Sequence, residues 1–232
     1  MKFGYVFLFL VCGYLIWYII PTYLNKLCQV FRKFKHRNDN NIYLTFDDGP
    51  SEFTSELLDL LKKYNVRATF FMVVSFAENH EELVRRMQSE GHKIGFHSYK
   101  HDNGLLMLPW DETRDFRESI TGLKKLGLNT IYFRPPWGHI NIAMIHLVKK
   151  CQLRLIMWDV MAEDWEGYTT SDIIYDKIIK RVKKGNIICL HDGRGKNDAP
   201  ERTIMALKKA IPELLQKGFV FKTIDEYERK DI

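Results

Sequence analysis

An apolar run, residues 42–46, stops abruptly at two adjacent carboxylates, Asp47 and Asp48, followed by Gly49-Pro50. The run reads as a buried strand ended by turn chemistry, so it delivers both carboxylates to the mouth of a pocket. Two neighbouring aspartates repel, and each is costly to bury unless a cation or a proton sits between them. The same punctuation recurs along the chain. Apolar runs near residues 42–46, 69–73, 93–95, 131–133, 153–157, 187–190 and 219–222 alternate with helical periods near 54–64, 81–90, 113–126, 142–150, 171–183 and 202–217. This alternation predicts an α/β domain with a parallel sheet. Asp47-Asp48, His97, Arg134, Asp159 and His191 each follow the end of a strand run. In a parallel barrel those ends open on one face, where active sites form. An open doubly wound sheet is the competing architecture, but no Gly-rich nucleotide loop follows the first strand.

The amino-terminal end has a different character. No charge occurs between Phe3 and Asn25, and Trp17, Tyr18 and Tyr23 lie near the end of that stretch. About 20 apolar residues span a bilayer, and aromatic residues favour its interface, so a single-pass signal-anchor helix is expected over residues 1–25. No Ala precedes Ala68, which leaves no typical signal-peptidase site. Lys2, Lys26, Arg32, Lys33, Lys35 and Arg37 are the only charged residues before position 38. With 35 basic and 29 acidic residues in all, the remainder of the chain is balanced. The excess charge therefore marks a basic juxtamembrane linker, residues 26–41, and residues 1–37 are expected to meet anionic lipids. A nucleic-acid-binding domain is excluded by the balanced remainder. One lysine and the amino terminus precede the helix and five basic residues follow it, a count that favours a cytoplasmic domain at residues 42–232. A cell-wall enzyme requires the opposite side. Cys12, Cys28, Cys151 and Cys189 show no CxxC spacing and read as free thiols.

His97 and His101 are spaced i, i+4 and share a side if their loop makes one helical turn. Two imidazoles with one carboxylate form an open catalytic zinc site, and Asp48 is the natural third ligand. Asp47 is then a second carboxylate placed to act as general base. Arg134, before Pro135-Pro136-Trp137-Gly138, is expected to hold Asp47 in a bidentate pair, with the amide of Trp137 or Gly138 facing an oxyanion. His191 can protonate a leaving amine, oriented by Asp164. Trp165 and Leu190 supply apolar walls for a small acyl group, although both read equally as core.

Together the motifs TFDDGP, HSYKH, RPPWG, the DW of MWDVMAEDW, and LHDG resemble those of the polysaccharide deacetylase family, the NodB-type carbohydrate esterases. The resemblance spans about residues 41–226. It implies a distorted (β/α) barrel of about seven strands, a divalent metal that is usually zinc, with cobalt or another divalent ion as alternatives, and hydrolysis of N-acetyl groups on amino sugars. It implies that Asp47 is the base, that Asp48, His97 and His101 are metal ligands, and that Arg134 holds the base. His191 then resembles the acid with Asp164 behind it, the Trp137 amide the oxyanion donor, and Trp165 and Leu190 the acetyl-pocket wall. Two positions depart from the pattern: Met161 stands where many members carry an acid, and Trp137 where Tyr is common. The apolar segment Leu105-Leu106-Met107-Leu108 reads as a helix start or core, with a lipid-facing lip as the alternative. The expected substrate is an N-acetylated glycan of the peptidoglycan or chitin type. Alternatives are a lipid-linked amino sugar, acetylated or formylated, and a catalytically silent glycan-binding membrane protein. A metallophosphoesterase fits the Arg-Pro-Pro turn and the separate His191 less well.

Overall fold

The computed structural model describes residues 2–33 and 40–228. Helix α1 (Lys2–Tyr14) continues through a π-helical turn (Leu15–Ile19) into α2 (Ile20–Lys33). Within it the 24-residue stretch Tyr5–Cys28 is long and apolar enough to cross a membrane. The helix continues to Lys33, so the first part of the expected linker is helical. The rest of that linker, residues 34–39 with Lys35 and Arg37, lies outside the described residues.

Every expected strand run forms a strand. They are β1 (Asn41–Asp47), β2 (Thr69–Met72), β3 (Lys93–Phe96), β4 (Tyr132–Phe133), β5 (Arg154–Leu155), β7 (Ile187–His191) and β8 (Val220–Lys222), with a further short β6 (Val160–Met161). All pairings are parallel, in the order β5-β4-β3-β2-β1-β7-β6. Strand β8 pairs with the first half of β1, below β2. The edge strands β5 and β6 are joined by residues 156–159, which reach at most about 18 Å. The sheet therefore curls into a distorted barrel whose seam is that short link. Asp159 belongs to this seam and not to the catalytic end. Its amide bonds the Ile187 carbonyl at 2.8 Å and its carboxylate accepts from the Ile187 amide at 2.9 Å, at the start of β7.

The helices are α3 (Thr54–Lys63), α4 (Val74–Ala77), α5 (Glu81–Ser89), α6 (Pro109–Lys125), α7 (Ile142–Lys150), α8 (Ser171–Arg181), α9 (Ala199–Gln216) and α10 (Ile224–Glu228). Helix α6 begins four residues before the expected start, because a proline at the first position sacrifices no needed amide. Asn141 caps α7 through its side-chain oxygen, which accepts from the Met144 amide at 2.8 Å.

Strand alternation divides the interior into two parts. On β1, Ile42, Leu44 and Phe46 face the helices and join the large core with Leu57, Leu61, Phe70, Ile94 and Phe96. Tyr43, from the alternate positions, packs inside the barrel with Phe71, Ile156, Ile187, Ile224 and Tyr227. A buried Phe or Leu contributes about 1.5–3 kcal/mol, so both faces of β1 are held apolar until Thr45 and Asp47 interrupt the inner one. The polar inner positions at its carboxyl end mark the catalytic mouth.

Candidate active site

Register brings the site together. Asp47 is paired across the sheet with His191 on β7 and Phe71 on β2. Phe96 on β3 is level with Met72 on one side and Phe133 on the other. The next residues, His97 and Arg134, thus leave their strands at the same end as Asp47 and His191.

Arg134 is completely buried. Its Nη1 donates to Asp47 Oδ1 at 2.6 Å and to Thr45 Oγ1 at 2.8 Å. Its Nε and Nη2 go elsewhere, to the carbonyls of Ile156 (3.2 Å) and Met157 (3.1 Å). The expected bidentate pair is therefore a single bond, because the other half of the guanidinium ties the barrel seam. The cation also lies 4.0 Å from the Phe71 ring centroid. Asp47 Oδ2 accepts from the Cys189 thiol at 3.3 Å. Burial pushes that thiol well above its ordinary range, and the Asp47 charge adds to the effect, so Cys189 remains a donor.

Asp48, His97 and His101 place one ligand atom each within 4.8 Å of the others, all three residues being buried. His97 Nε2 is 3.5 Å and His101 Nε2 3.0 Å from Asp48 Oδ1. Yet Asp48 Oδ1 is without a hydrogen-bond partner of adequate geometry among the described residues. His97 Nδ1 lies 2.7 Å from the Arg134 carbonyl, so it carries the proton and leaves the Nε2 lone pair facing Asp48. Burial lowers the His97 imidazole to about 4, against the raising pull of Asp47 and Asp48, so it is neutral. Burial alone would raise the Asp48 carboxyl. The His101 imidazole beside it and the charge of His191 outweigh that and hold it well below the usual range. An orphaned carboxylate oxygen and two imidazoles turned on one point suit a divalent cation such as zinc.

The two histidines do not share a helical turn. Ser98 and His101 have φ of 71° and 65°, and the Ser98 hydroxyl accepts from the His101 amide at 2.7 Å. A left-handed bend, rather than helical spacing, aims both rings at Asp48. A second cluster, Asp47 with Cys189 and His191, also meets simple proximity. Its protonated thiol and the positively charged His191 described next make it a poor cation site.

Asp164 is completely buried and supports His191 twice. It accepts from the His191 amide at 2.8 Å and faces Nδ1 at 2.9 Å, while the Thr203 hydroxyl donates to it at 2.8 Å. Burial opposes the imidazolium, but the Asp164 charge and hydrogen bond, aided by Asp48 and Asp47, raise His191 to about 9.

Asp47, Asp48, His97, His101, Cys189 and His191 line a cleft of about 730 Å³ with Trp137, Met157, Trp158, Met161, Trp165 and Lys26, while Arg134 and Asp164 support it from behind. Trp165 meets the His191 ring edge-on at 5.1 Å. Trp137 is half exposed and its ring is 4.2 Å from that of His101. The Gly138 amide is committed to the Pro135 carbonyl at 2.9 Å, which leaves Trp137 as the oxyanion-donor candidate of the two. Leu190 is not a wall. It is completely buried in the helix-side core, since it alternates with Cys189 and His191, which face inward. Sequence reasoning missed Cys189, Thr45 and Thr203, whose roles depend on register that no local motif displays. It also missed Trp158 and Lys26 in the cleft. In the Leu105–Leu108 segment only Met107 is buried, while Leu106 is 79% and Leu108 43% exposed.

A sequence profile of the polysaccharide deacetylases matches residues 34–156. A peptidoglycan-N-acetylglucosamine deacetylase of Bacillus cereus is 33% identical over 195 residues, covering 83% of this chain and 90% of its own. A chitooligosaccharide deacetylase of Sinorhizobium fredii is 31% identical over 196 residues, covering 80% of this chain and 91% of its own. The crystal structure of a peptidoglycan N-acetylglucosamine deacetylase superimposes with a TM-score of 0.76 at 31% identity, covering 82% of this chain and 89% of that one.

Proposed function

The chain belongs to the polysaccharide deacetylase family, and from that premise we propose that it is a metal-dependent hydrolase removing N-acetyl groups from amino-sugar residues of a glycan, of the peptidoglycan or chitooligosaccharide type. Its N-terminal helix, Tyr5–Cys28, tethers it to a membrane, and residues 42–232 form the catalytic domain. The observation that carries this reading is the convergence of three units in one cleft: Asp48 with His97 and His101, Asp47 with Arg134, and His191 with Asp164.

Asp48, His97 and His101 would hold a divalent cation, zinc by the chemistry of the donor set, which would acidify a water and polarise the acetamide carbonyl when bound. Asp47 takes the proton of the attacking water. Its Oδ1 is held by the Arg134 cation, whereas Oδ2 carries only the weak Cys189 thiol bond and lies 3.9 Å from His97 Nε2, so Oδ2 is the oxygen that receives it. The Trp137 amide donates to the oxyanion as the carbonyl becomes tetrahedral. His191 then delivers the Nε2 proton to the departing nitrogen, since its Nδ1 is engaged by Asp164. The C–N bond breaks, a C–O bond has formed, and the products are acetate and a free amine. Trp165 and the apolar side of the cleft exclude water from the acyl group.

Acetate release from chitooligosaccharide, peptidoglycan and a lipid-linked amino sugar tests this. Asp47→Asn should keep its metal and lose turnover by at least about a hundredfold, the low end for removal of a general base. A fully metallated wild-type protein that releases no acetate from any of the three overturns the proposal.

A further inference from the structure

The N-terminal helix does not stand clear of the catalytic domain. The Tyr18 hydroxyl donates to the Met107 carbonyl at 2.9 Å. The Thr22 hydroxyl donates to the Ile140 carbonyl and accepts from the Ile140 amide, both at 2.9 Å, and Thr22 is only 4% exposed. Asn25 Nδ2 is buried and unpartnered among the described residues, and Lys26 lines the catalytic cleft. Positions 18, 22, 25 and 26 fall on one helical face. A polar stripe is costly on a helix surrounded by lipid, so this one is explained by the domain it meets. Contacts continue from the stripe to the metal site. Ile140 follows His139, whose ring stacks 6.5 Å from Trp137, and Trp137 touches His101.

Helical rise fixes the depth of these contacts. About 20 residues at 1.5 Å each cross a hydrocarbon core of ~30 Å, so an untilted helix entering at Tyr5 emerges near residue 25. Tyr18 then lies about 10 Å below that boundary, and Lys26 about 1.5 Å beyond it, from where its long side chain can reach up to the headgroup phosphates. The loop bonded to Tyr18 must follow it into the membrane surface. Leu106, Leu108 and Trp110, at 79%, 43% and 63% exposure, give that loop the apolar and indole surface that enters the interface by about 5–10 Å. Lys26 lines the cleft together with Arg194 and Lys196. Of the cleft's two carboxylates, Asp47 is paired with Arg134, and Asp48 belongs to the cation site and lies 3.9 Å from Arg194 Nε, which leaves Lys26 without a carboxylate partner there among the described residues.

We propose that the N-terminal helix is a wall of the catalytic cleft and that Lys26 binds the phosphate of an N-acylated amino sugar held in the membrane, so that the preferred substrate is a lipid-linked sugar phosphate. This rests on the deacetylase reading and narrows its substrate. Lys26 is a specificity-determining residue here and takes no part in the proton transfers.

The test uses the full chain, metal-loaded, in lipid nanodiscs, with acetate release as readout. Three probes are compared: polyprenyl-diphospho-N-acetylglucosamine in the same bilayer, soluble N-acetylglucosamine-1-phosphate, and neutral chitotetraose. Lys26→Gln should raise KM for the polyprenyl probe about tenfold more than for chitotetraose, with kcat little changed, and Lys26→Arg should recover most of that loss. Thr22→Val, which detaches the helix while keeping Lys26, should move KM in the same direction. A Lys26→Gln effect equal on all three probes overturns phosphate recognition. An effect equally large on both phosphorylated probes, together with equal wild-type KM for them, overturns the membrane-held source. Wild-type inactivity on every probe is a failure of the deacetylase reading itself.

Discussion

Asp164→Asn separates the charge behind His191 from its shape. Asp164 is completely buried, and an asparagine fits the same space and still offers one oxygen to Nδ1. What it removes is the negative charge that, with its hydrogen bond, lifts the imidazole from an ordinary 6.5 to about 9 in spite of burial. That net preference for the proton is worth about 3 kcal/mol at 1.36 kcal/mol per tenfold. Asp48 and Asp47 contribute less than Asp164, so a cation that neutralises them leaves the main cause in place. The sign follows from the role. A general acid must be protonated, so kcat/KM is high below the His191 value and falls above it. At pH 8 the wild-type imidazole is about 90% protonated, whereas one returned to 6.5 is about 3% protonated, a loss of roughly thirtyfold from protonation alone. At pH 5.5 both are protonated and the loss should shrink to a few-fold. Folding stability moves with the same group: the raised value stabilises the wild type fully below pH 6.5, and that contribution disappears as pH rises through about 9. The assay is kcat/KM for acetate release from chitotetraose between pH 5 and 9.5, with metal content held constant. If the basic limb of Asp164→Asn coincides with that of wild type, with the same fractional loss at every pH, Asp164 does not act through the charge of His191.

Two further outcomes bear on the other units. Asp48→Asn should lower bound zinc from one per chain to well below one by elemental analysis, and zinc added after chelation should restore acetate release to wild type but not to the variant; full occupancy in the variant would remove Asp48 from the ligand set. Arg134→Met leaves Asp47 as an uncompensated buried charge and frees the Ile156 and Met157 carbonyls, so urea unfolding should show a loss of about 3–5 kcal/mol, partly restored by adding Asp47→Asn. Equal stability of Arg134→Met and wild type would mean that the seam closes without the guanidinium.

What was legible in the sequence was whatever local chemistry announces. The ends of apolar runs gave the seven principal strands, and abrupt polar residues after them gave Asp47, His97, Arg134 and His191 at one mouth. Short β6 carries only two residues and no run of its own, so periodicity passes over it and puts Asp159 at the wrong end of the barrel. Leu190 reads with its motif neighbours, but strand alternation sends it outward and brings Cys189 to Asp47 instead. Spacing of four suggested a helical turn between His97 and His101, where two left-handed residues do the same task. Lys26 read only as part of a basic flank. Its place in the cleft depends on a helix–domain contact between residues more than 80 positions apart.

The two adjacent aspartates pose the problem that the backbone solves. Asp47 ends β1 in extended geometry and points inward to Arg134 and Cys189. Asp48 takes φ of 70°, a left-handed conformation that costs a non-glycine residue roughly 1–3 kcal/mol and survives only where its surroundings over-determine it. Those surroundings come from the loop after β7. The Asp192 amide donates to the Asp47 carbonyl at 3.2 Å, the Ser51 hydroxyl donates to the Asp192 carbonyl, and Thr54 donates to the Asp192 carboxylate at 2.7 Å. Gly193 lies so close to the Asp48 carbonyl that a Cβ there would overlap it, and a Cβ on Gly49 would overlap the Asp192 carboxyl. Burial raises that carboxyl to about 7, which suits a group packed against backbone. The Leu-His-Asp-Gly segment therefore has two functions. Its histidine faces the cleft, while its aspartate and glycine clamp the Asp-Asp-Gly-Pro turn from the neighbouring strand. With the turn clamped, the second carboxylate swings away from the first and toward His97 and His101. Two like charges that repel as sequence neighbours are thereby given separate partners, one a guanidinium and the other a cation site.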